Sequence, residues 1–215
     1  ADTARLFSLF AAPPERDLDW NDQGVEGSYR FLSRVWRLFA LYLPKAKNSQ
    51  LEHVKPTNAG LKELYQQLHL TVAKVTADLD KDFHFNTAIS AIMILVNHLS
   101  ETQISDYQSE ADQNFLAETL KKLLLILSPF VPHFAEELWQ AMGESKSIAL
   151  AAWPGFDAAA TVKDEFIVVV QVNGKMRGRL QVARGTSEAD ILKMAKADEK
   201  VMPHLADKNI KREIY

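Results

Sequence analysis

The sequence predicts a mainly α protein: a helical bundle followed by a small α+β domain built on a β-hairpin. Over residues 23–156, apolar side chains recur at helical spacing in long runs joined by short connections, the signature of packed amphipathic helices. After SIALAAWPGFDAAAT the pattern switches to a β-branched run, an Asn-Gly pair and an alternating run, which reads as a hairpin. A domain boundary is therefore expected near residues 157–163.

Along the chain, Asp2 is expected to cap a short helix through Phe10, closed by Pro13-Pro14, which cannot donate to a continuing helix. The acidic loop ERDLDWNDQG follows. Phe31, Leu32, Val35, Trp36, Leu38, Phe39 and Tyr42 mark the buried stripe of a helix over 25–43 that ends at Pro44. A second long helix runs over 58–79 on Leu61, Leu64, Tyr65, Leu68, Val72 and Val75. Asn86 or Thr87 is expected to cap a third, reaching Leu99. Another spans 111–127 before Ser128-Pro129, and Pro132 opens the last, which stops at Gly143. In the small domain, β-strands over 166–172 and 175–182 flank Asn173-Gly174. Ser187 and Asp190 make a capping pair for a helix into AKADEK, and KNIKREIY reads as one more strand.

Composition narrows the function. The chain has 215 residues, 47% hydrophobic and 25% charged, enough for one large domain or two smaller ones. It has no cysteine, so disulfides and thiolate-ligated zinc are excluded and a reducing compartment, the cytoplasm, is expected. The longest nearly apolar run, AISAIMILV, is far shorter than a membrane span. The chain starts without Met on ADTARLFSLF, with no signal peptide pattern, and is expected to be part of something longer. Charge is unevenly placed: residues 1–161 carry 14 Lys+Arg against 20 Asp+Glu, and residues 162–215 carry 11 against 8. A basic tail on an acidic body points to a local polyanion contact.

Two groups of cations stand out. In VVVQVNGKMRGRL, Lys175, Arg177 and Arg179 occupy alternate positions, so a regular strand would project all three from one face. With a two-residue loop, Val172 would pair with Lys175, Val170 with Arg177 and Val168 with Arg179, leaving Ile167, Val169, Met176 and Leu180 for the core. Crowded cations suit phosphates; the competing expectation is a solvated strand face. Gly178, lacking a side chain between two arginines, would admit a ribose-phosphate backbone or mark a bulge. Arg30, Arg34 and Arg37, spaced i, i+4, i+7, share one helical stripe and suit phosphate oxygens, or else pair with carboxylates of the acidic body. His133 with Glu136 has metal-like spacing but lacks the second pair a bundle site needs. No H-E-x-x-H, G-x-S-x-G, P-loop or G-x-G-x-x-G occurs. No bond-making chemistry is expected of this chain alone.

ADTARLFSLFAAPPERDLDW, GVEGSYRFLSRVWRL, FHFNTAISAIMILVN, LLLILSPFVPHFAEELW, Trp153-Pro154 and VVVQVNGKMRGRL, in this order, resemble the C-terminal part of bacterial-type leucyl-tRNA synthetases, class I aminoacyl-tRNA synthetases. SPFVPHFAEELW alone fits the leucine, isoleucine, valine and methionine types; VQVNGKMRG narrows it to leucine. The resemblance implies a connector over residues 1–22, a helical-bundle anticodon-binding domain over 23–156 that holds the tRNA body without reading anticodon bases, and a C-terminal tRNA-binding domain over 163–215. It implies that Lys175, Arg177 and Arg179 lie near RNA backbone; Arg30, Arg34 and Arg37 are expected to bind tRNA on the strength of their shared stripe. It also implies that tRNA-Leu and the parent's catalytic and editing domains are partners, that ATP and Mg serve the parent with no cofactor held here, and that the protein is a monomer without membrane attachment. Departures are the absence of H-I-G-H and K-M-S-K-S, which ESKS at 144–147 does not replace, and of a further strand of the V-P-G-K-L-L type after Tyr215. The alternative expectation is a protein interaction scaffold anchored by Trp20, Trp36 and Trp153.

Overall fold

The computed structural model describes residues 1–12, 16–46, 53–80, 83–162, 165–206, 210 and 212–214, without the side chains of 165 and 166. These form two compact units, Ala1–Thr161 and Val162–Tyr215.

The first unit is a bundle of six helices: α1 (Asp2–Ala11), α2 (Asp22–Tyr42), α3 (Lys62–Asp80), α4 (Phe85–Glu101), α5 (Glu110–Leu127) and α6 (Pro132–Ala141). The most apolar segment of the chain becomes α4. It buries Ala88, Ile89, Ile92, Leu95, Val96 and Leu99 and touches α1, α2, α3 and α5. The predicted stripe of α2 is buried at Phe31, Leu32, Val35, Leu38, Phe39 and Tyr42, while Trp36 stays half exposed. Asn21 caps α2 through Gln23 and Gly24 N–H. Ser109 and Asp112 form a reciprocal capping box at the start of α5, and Pro132 sits at the start of α6 as its missing N–H allows.

Two capping expectations are corrected. The N-cap of α1 is Ala1, not Asp2. The Asp2 carboxylate instead accepts from Phe134 N–H at 2.7 Å and sits 2.9 Å from His133 Nδ1, so it caps α6, whose own N-cap, Val131, has no side chain to do so. Burial acts to raise the Asp2 pKa but is outweighed by the His133 and Phe134 hydrogen bonds and by the His133 and Arg5 charges, which hold it below the usual range. Likewise α4 is capped at His84, with Asn86 and Thr87 already in its first turn. Thr87 donates to Asp78 at 2.7 Å and so ties α4 to the end of α3. The Pro13-Pro14 stop lies outside the described residues.

The second unit is an antiparallel hairpin, β1 (Glu165–Val172) and β2 (Lys175–Ala183), with α7 (Glu188–Ala197) and a short α8 (Met202–Leu205) that the sequence did not signal. Asn173 and Gly174 have φ of 52° and 75°, the two-residue turn expected of this pair. Ser187 caps α7 through Asp190 N–H. Of the expected strand over 208–215, residues 208, 209, 211 and 215 lie outside the described residues, and 210 and 212–214 carry no strand. The core is small: Leu180, Val182 and Ile191, with Val168, Val170 and Ala195 packed against them.

Candidate nucleic-acid interface

The hairpin register differs from the predicted one, and the difference moves its cations. Val172 pairs with Lys175 as expected, but Gln171 then pairs with Met176, Val170 with Gly178, Val169 with Arg179 and Val168 with Leu180. Arg177 is the extra residue of a β-bulge. Because side chains alternate with a period of two, inserting one residue inverts everything beyond it. Lys175 and Arg179 therefore stand on opposite faces, and no single-faced row of three cations exists.

The expected core face is corrected as well: the bulge brings Leu180 onto the face of Val168 and Val170, and that face is the one that packs. Val168, Val170, Leu180 and Val182 point inward, whereas Ile167, Val169 and Met176 are 67%, 48% and 55% exposed. Arg179 shares that exposed face. Gly178 lies against protein: a Cβ there would come within 2.7 Å of Val201 Cγ2 and 3.2 Å of Asp198 Oδ1. Its missing side chain admits the turn between α7 and α8, not a ribose-phosphate backbone, and it also borders the bulge.

On α2 the arginines share a stripe as predicted. Arg30 pairs with Glu26 at 3.3 Å on the surface, an exposed pair of small energetic value. The Arg34 guanidinium lies 5.8 Å above the Phe31 ring, and its Nε is enclosed without a hydrogen-bond partner, as is Arg177 Nε. Among the described residues, no carboxylate forms an ion pair with Arg34, Arg37, Lys175, Arg177 or Arg179. Pairing with the acidic body thus accounts for Arg30 only. Arg37 also lines a cavity of about 680 Å³ with Tyr29, Trp36, His133 and Phe134.

A buried polar hub, unread in the sequence, ties α3, α5 and the segments 53–54 and 153–157 together within the first unit. Glu118 pairs with Lys122 at 2.8 Å, both nearly sealed, and accepts His53 and Val54 N–H at 2.7 Å each. Lys122 donates to Gly155 O at 2.7 Å. Tyr65 donates to Asp157 at 2.8 Å, His69 Nδ1 accepts Asp157 N–H at 3.1 Å, and Trp153 donates to Thr76 at 2.8 Å. The segment 153–157 is thereby strapped along α3 in the opposite direction. Only the i, i+4 spacing of Glu118 and Lys122 is visible in the sequence, and it is common on any exposed helix.

Burial, then the charge of Lys122, lowers the His69 pKa to about 4. Unfolding releases His69 to bind a proton below about 6.5, which the folded state refuses until about 4. Stability should therefore fall as pH drops from about 6.5 to 4, by up to about 3 kcal/mol. Urea midpoints at intervals across that window should show the decline, and His69→Gln should flatten it.

Residues 62–193 match the family model described as the anticodon-binding domain of tRNA ligase. The chain belongs to that family. Over 216 residues it is 50% identical to the leucine–tRNA ligase of Geotalea uraniireducens, covering all of this chain and 26% of that protein. With the leucine–tRNA ligase of Nostoc sp. it shares 44% identity, over 99% of this chain and 24% of that protein. This anticodon-binding family member also resembles a solved LeuRS of Agrobacterium radiobacter K84, crystallised as a ternary complex with tRNA and LeuAMS. The TM-score is 0.77 at 32% identity, over 100% of this chain and 27% of the other. The chain thus spans about a quarter of the length of the leucine–tRNA ligases it matches, and the resemblance read from its motifs is borne out. Among the described residues no helix is long and apolar enough to cross a membrane, and no cluster of three or more His, Asp or Glu is placed to hold a metal.

Proposed function

We propose that this chain is the tRNA-binding C-terminal region of a leucine–tRNA ligase, positioning tRNA-Leu while an upstream domain performs the chemistry. In that reaction ATP activates leucine with release of diphosphate, and the leucyl group passes from AMP to the tRNA 3′ end. The observation that carries the proposal is the set of cations without carboxylate partners on α2 and the hairpin, in a chain of this family. Residues 1–22 are read as the connector to the catalytic domain, 23–156 as the part that holds the tRNA body, and 163–215 as a second RNA contact. ATP and Mg are assigned to the parent's catalytic region on the strength of the resemblance, and the parent is read as a cytoplasmic monomer with an editing domain. This chain alone is expected to turn over neither ATP nor leucine.

The bulge shapes the mode of contact. Lys175 and Arg179 face opposite ways, so the two reach different phosphates instead of lining one row along a single stretch of RNA backbone. Filter binding to tRNA-Leu over a salt series tests the reading. Each neutralised phosphate contributes about −0.9 to the log-log slope for duplex, less for single strands, so a steep decline is expected and a flat titration would refute it. In the scaffold alternative, Trp20, Trp36 and Trp153 are 63%, 45% and 42% exposed and would anchor a protein. Recovery of a partner that survives nuclease treatment would favour it; loss of recovery favours RNA.

A further inference from the structure

We infer that the cavity between α1, α2 and the start of α6 is a stacking site for one nucleotide, its base on Trp36 and its phosphate toward Arg37. The inference rests on the RNA-binding reading of α2 and adds a contact that surface cations do not supply. The cavity, about 680 Å³, is a hollow open to solvent, of a volume that accommodates one small ligand.

Tyr29 and Trp36, two turns apart on one stripe of α2, are 61% and 45% exposed, while the apolar stripe beside them is sealed in the core. Half-exposed aromatic faces on a concave wall are the feature on which unstacked bases settle, whatever their identity. The Trp36 indole packs against Phe134 in an edge-type contact, ring centroids 6.0 Å apart at 60°. Arg37, one residue beyond Trp36, reaches the same cavity without a described carboxylate partner. The one acid on the wall, Asp2, is already engaged by Arg5, His133 and Phe134 N–H, so its charge is neutralised locally. An aromatic platform, a free guanidinium and a compensated carboxylate together select a base with a phosphate attached, either on an RNA strand or as a free mononucleotide.

Trp fluorescence of the whole chain, titrated with tRNA-Leu, an unstructured oligoribonucleotide and a nucleoside 5′-monophosphate, tests this, with Trp36→Phe identifying the contribution of residue 36. Quenching of Trp36 by the RNAs alone places the nucleotide on a strand; quenching by the monophosphate as well shows that a single nucleotide suffices; either supports the site. Trp36→Leu, which keeps the apolar contact with Phe134, and Tyr29→Ala should weaken tRNA binding, the former by roughly 5- to 100-fold, with the salt slope unchanged because stacking displaces no counterions. Unaltered tRNA affinity in Trp36→Leu, or Trp36 emission indifferent to all three ligands, would overturn the site while leaving a steep salt dependence, and hence the RNA reading, intact. Absence of any tRNA binding would take both down together.

Discussion

Glu118→Ala is expected to destabilise the helical unit by about 3–5 kcal/mol, the loss typical of breaking one side of a buried ion pair. The carboxylate neutralises Lys122 where water cannot reach it and satisfies the N–H groups of His53 and Val54. Its removal leaves a buried ammonium and two donors unpaired. Urea unfolding followed by far-ultraviolet circular dichroism should show the midpoint shift. Glu118→Ala with Lys122→Met should recover much of the loss, because removing both charges removes the penalty for the orphan. A single-variant loss below about 1 kcal/mol would mean that water reaches the hub.

Gly178→Val should unfold the hairpin unit and leave the bundle intact. Any Cβ at this position meets Val201 and Asp198 at 2.7 and 3.2 Å, and overpacking of this kind costs about 1–3 kcal/mol before the branch is added. The unit has little to set against that, with a core of Leu180, Val182 and Ile191 and a few partly buried neighbours. Hydrogen exchange should become fast across 165–183 while α4 and α5 keep their protection. Unchanged protection in the strands would show that the turn between α7 and α8 moves aside without cost.

The helices of the bundle were legible because each buried stripe repeats at helical spacing and because Ser109, Pro132 and Gly143 are strong local punctuation. The hairpin turn was legible for the same kind of reason, since Asn173-Gly174 tolerates positive φ at both positions. Register was not. A bulge is a long-range compromise: placing Gly178 beneath the turn between α7 and α8 and Leu180 and Val182 in the core requires one extra residue on β2, and the local signal of that need, Gly178, fits a close approach of RNA backbone equally well. The caps misread at Asp2 and Asn86 or Thr87 share this origin. Asp2 spends its carboxylate on α6, 132 residues away, so its role exists only once the bundle has formed. Of the candidate site, residue identities were readable and their directions were not. The aromatic wall at Tyr29 and Trp36 is only half visible in the sequence, because Trp36 fits the apolar period of α2 and serves equally as core or as an exposed anchor.

On the proposed reading, two sets of cations, on α2 and on the hairpin, hold RNA through its phosphates. Measuring the salt dependence of tRNA-Leu binding for the intact chain, for Arg30→Ala/Arg34→Ala/Arg37→Ala and for Lys175→Ala/Arg177→Ala/Arg179→Ala tests it most directly. Each triple variant should bind more weakly and show a shallower log-log slope, by up to about 0.9 for every phosphate no longer neutralised. Affinity and slope identical to those of the intact chain in both variants would contradict it.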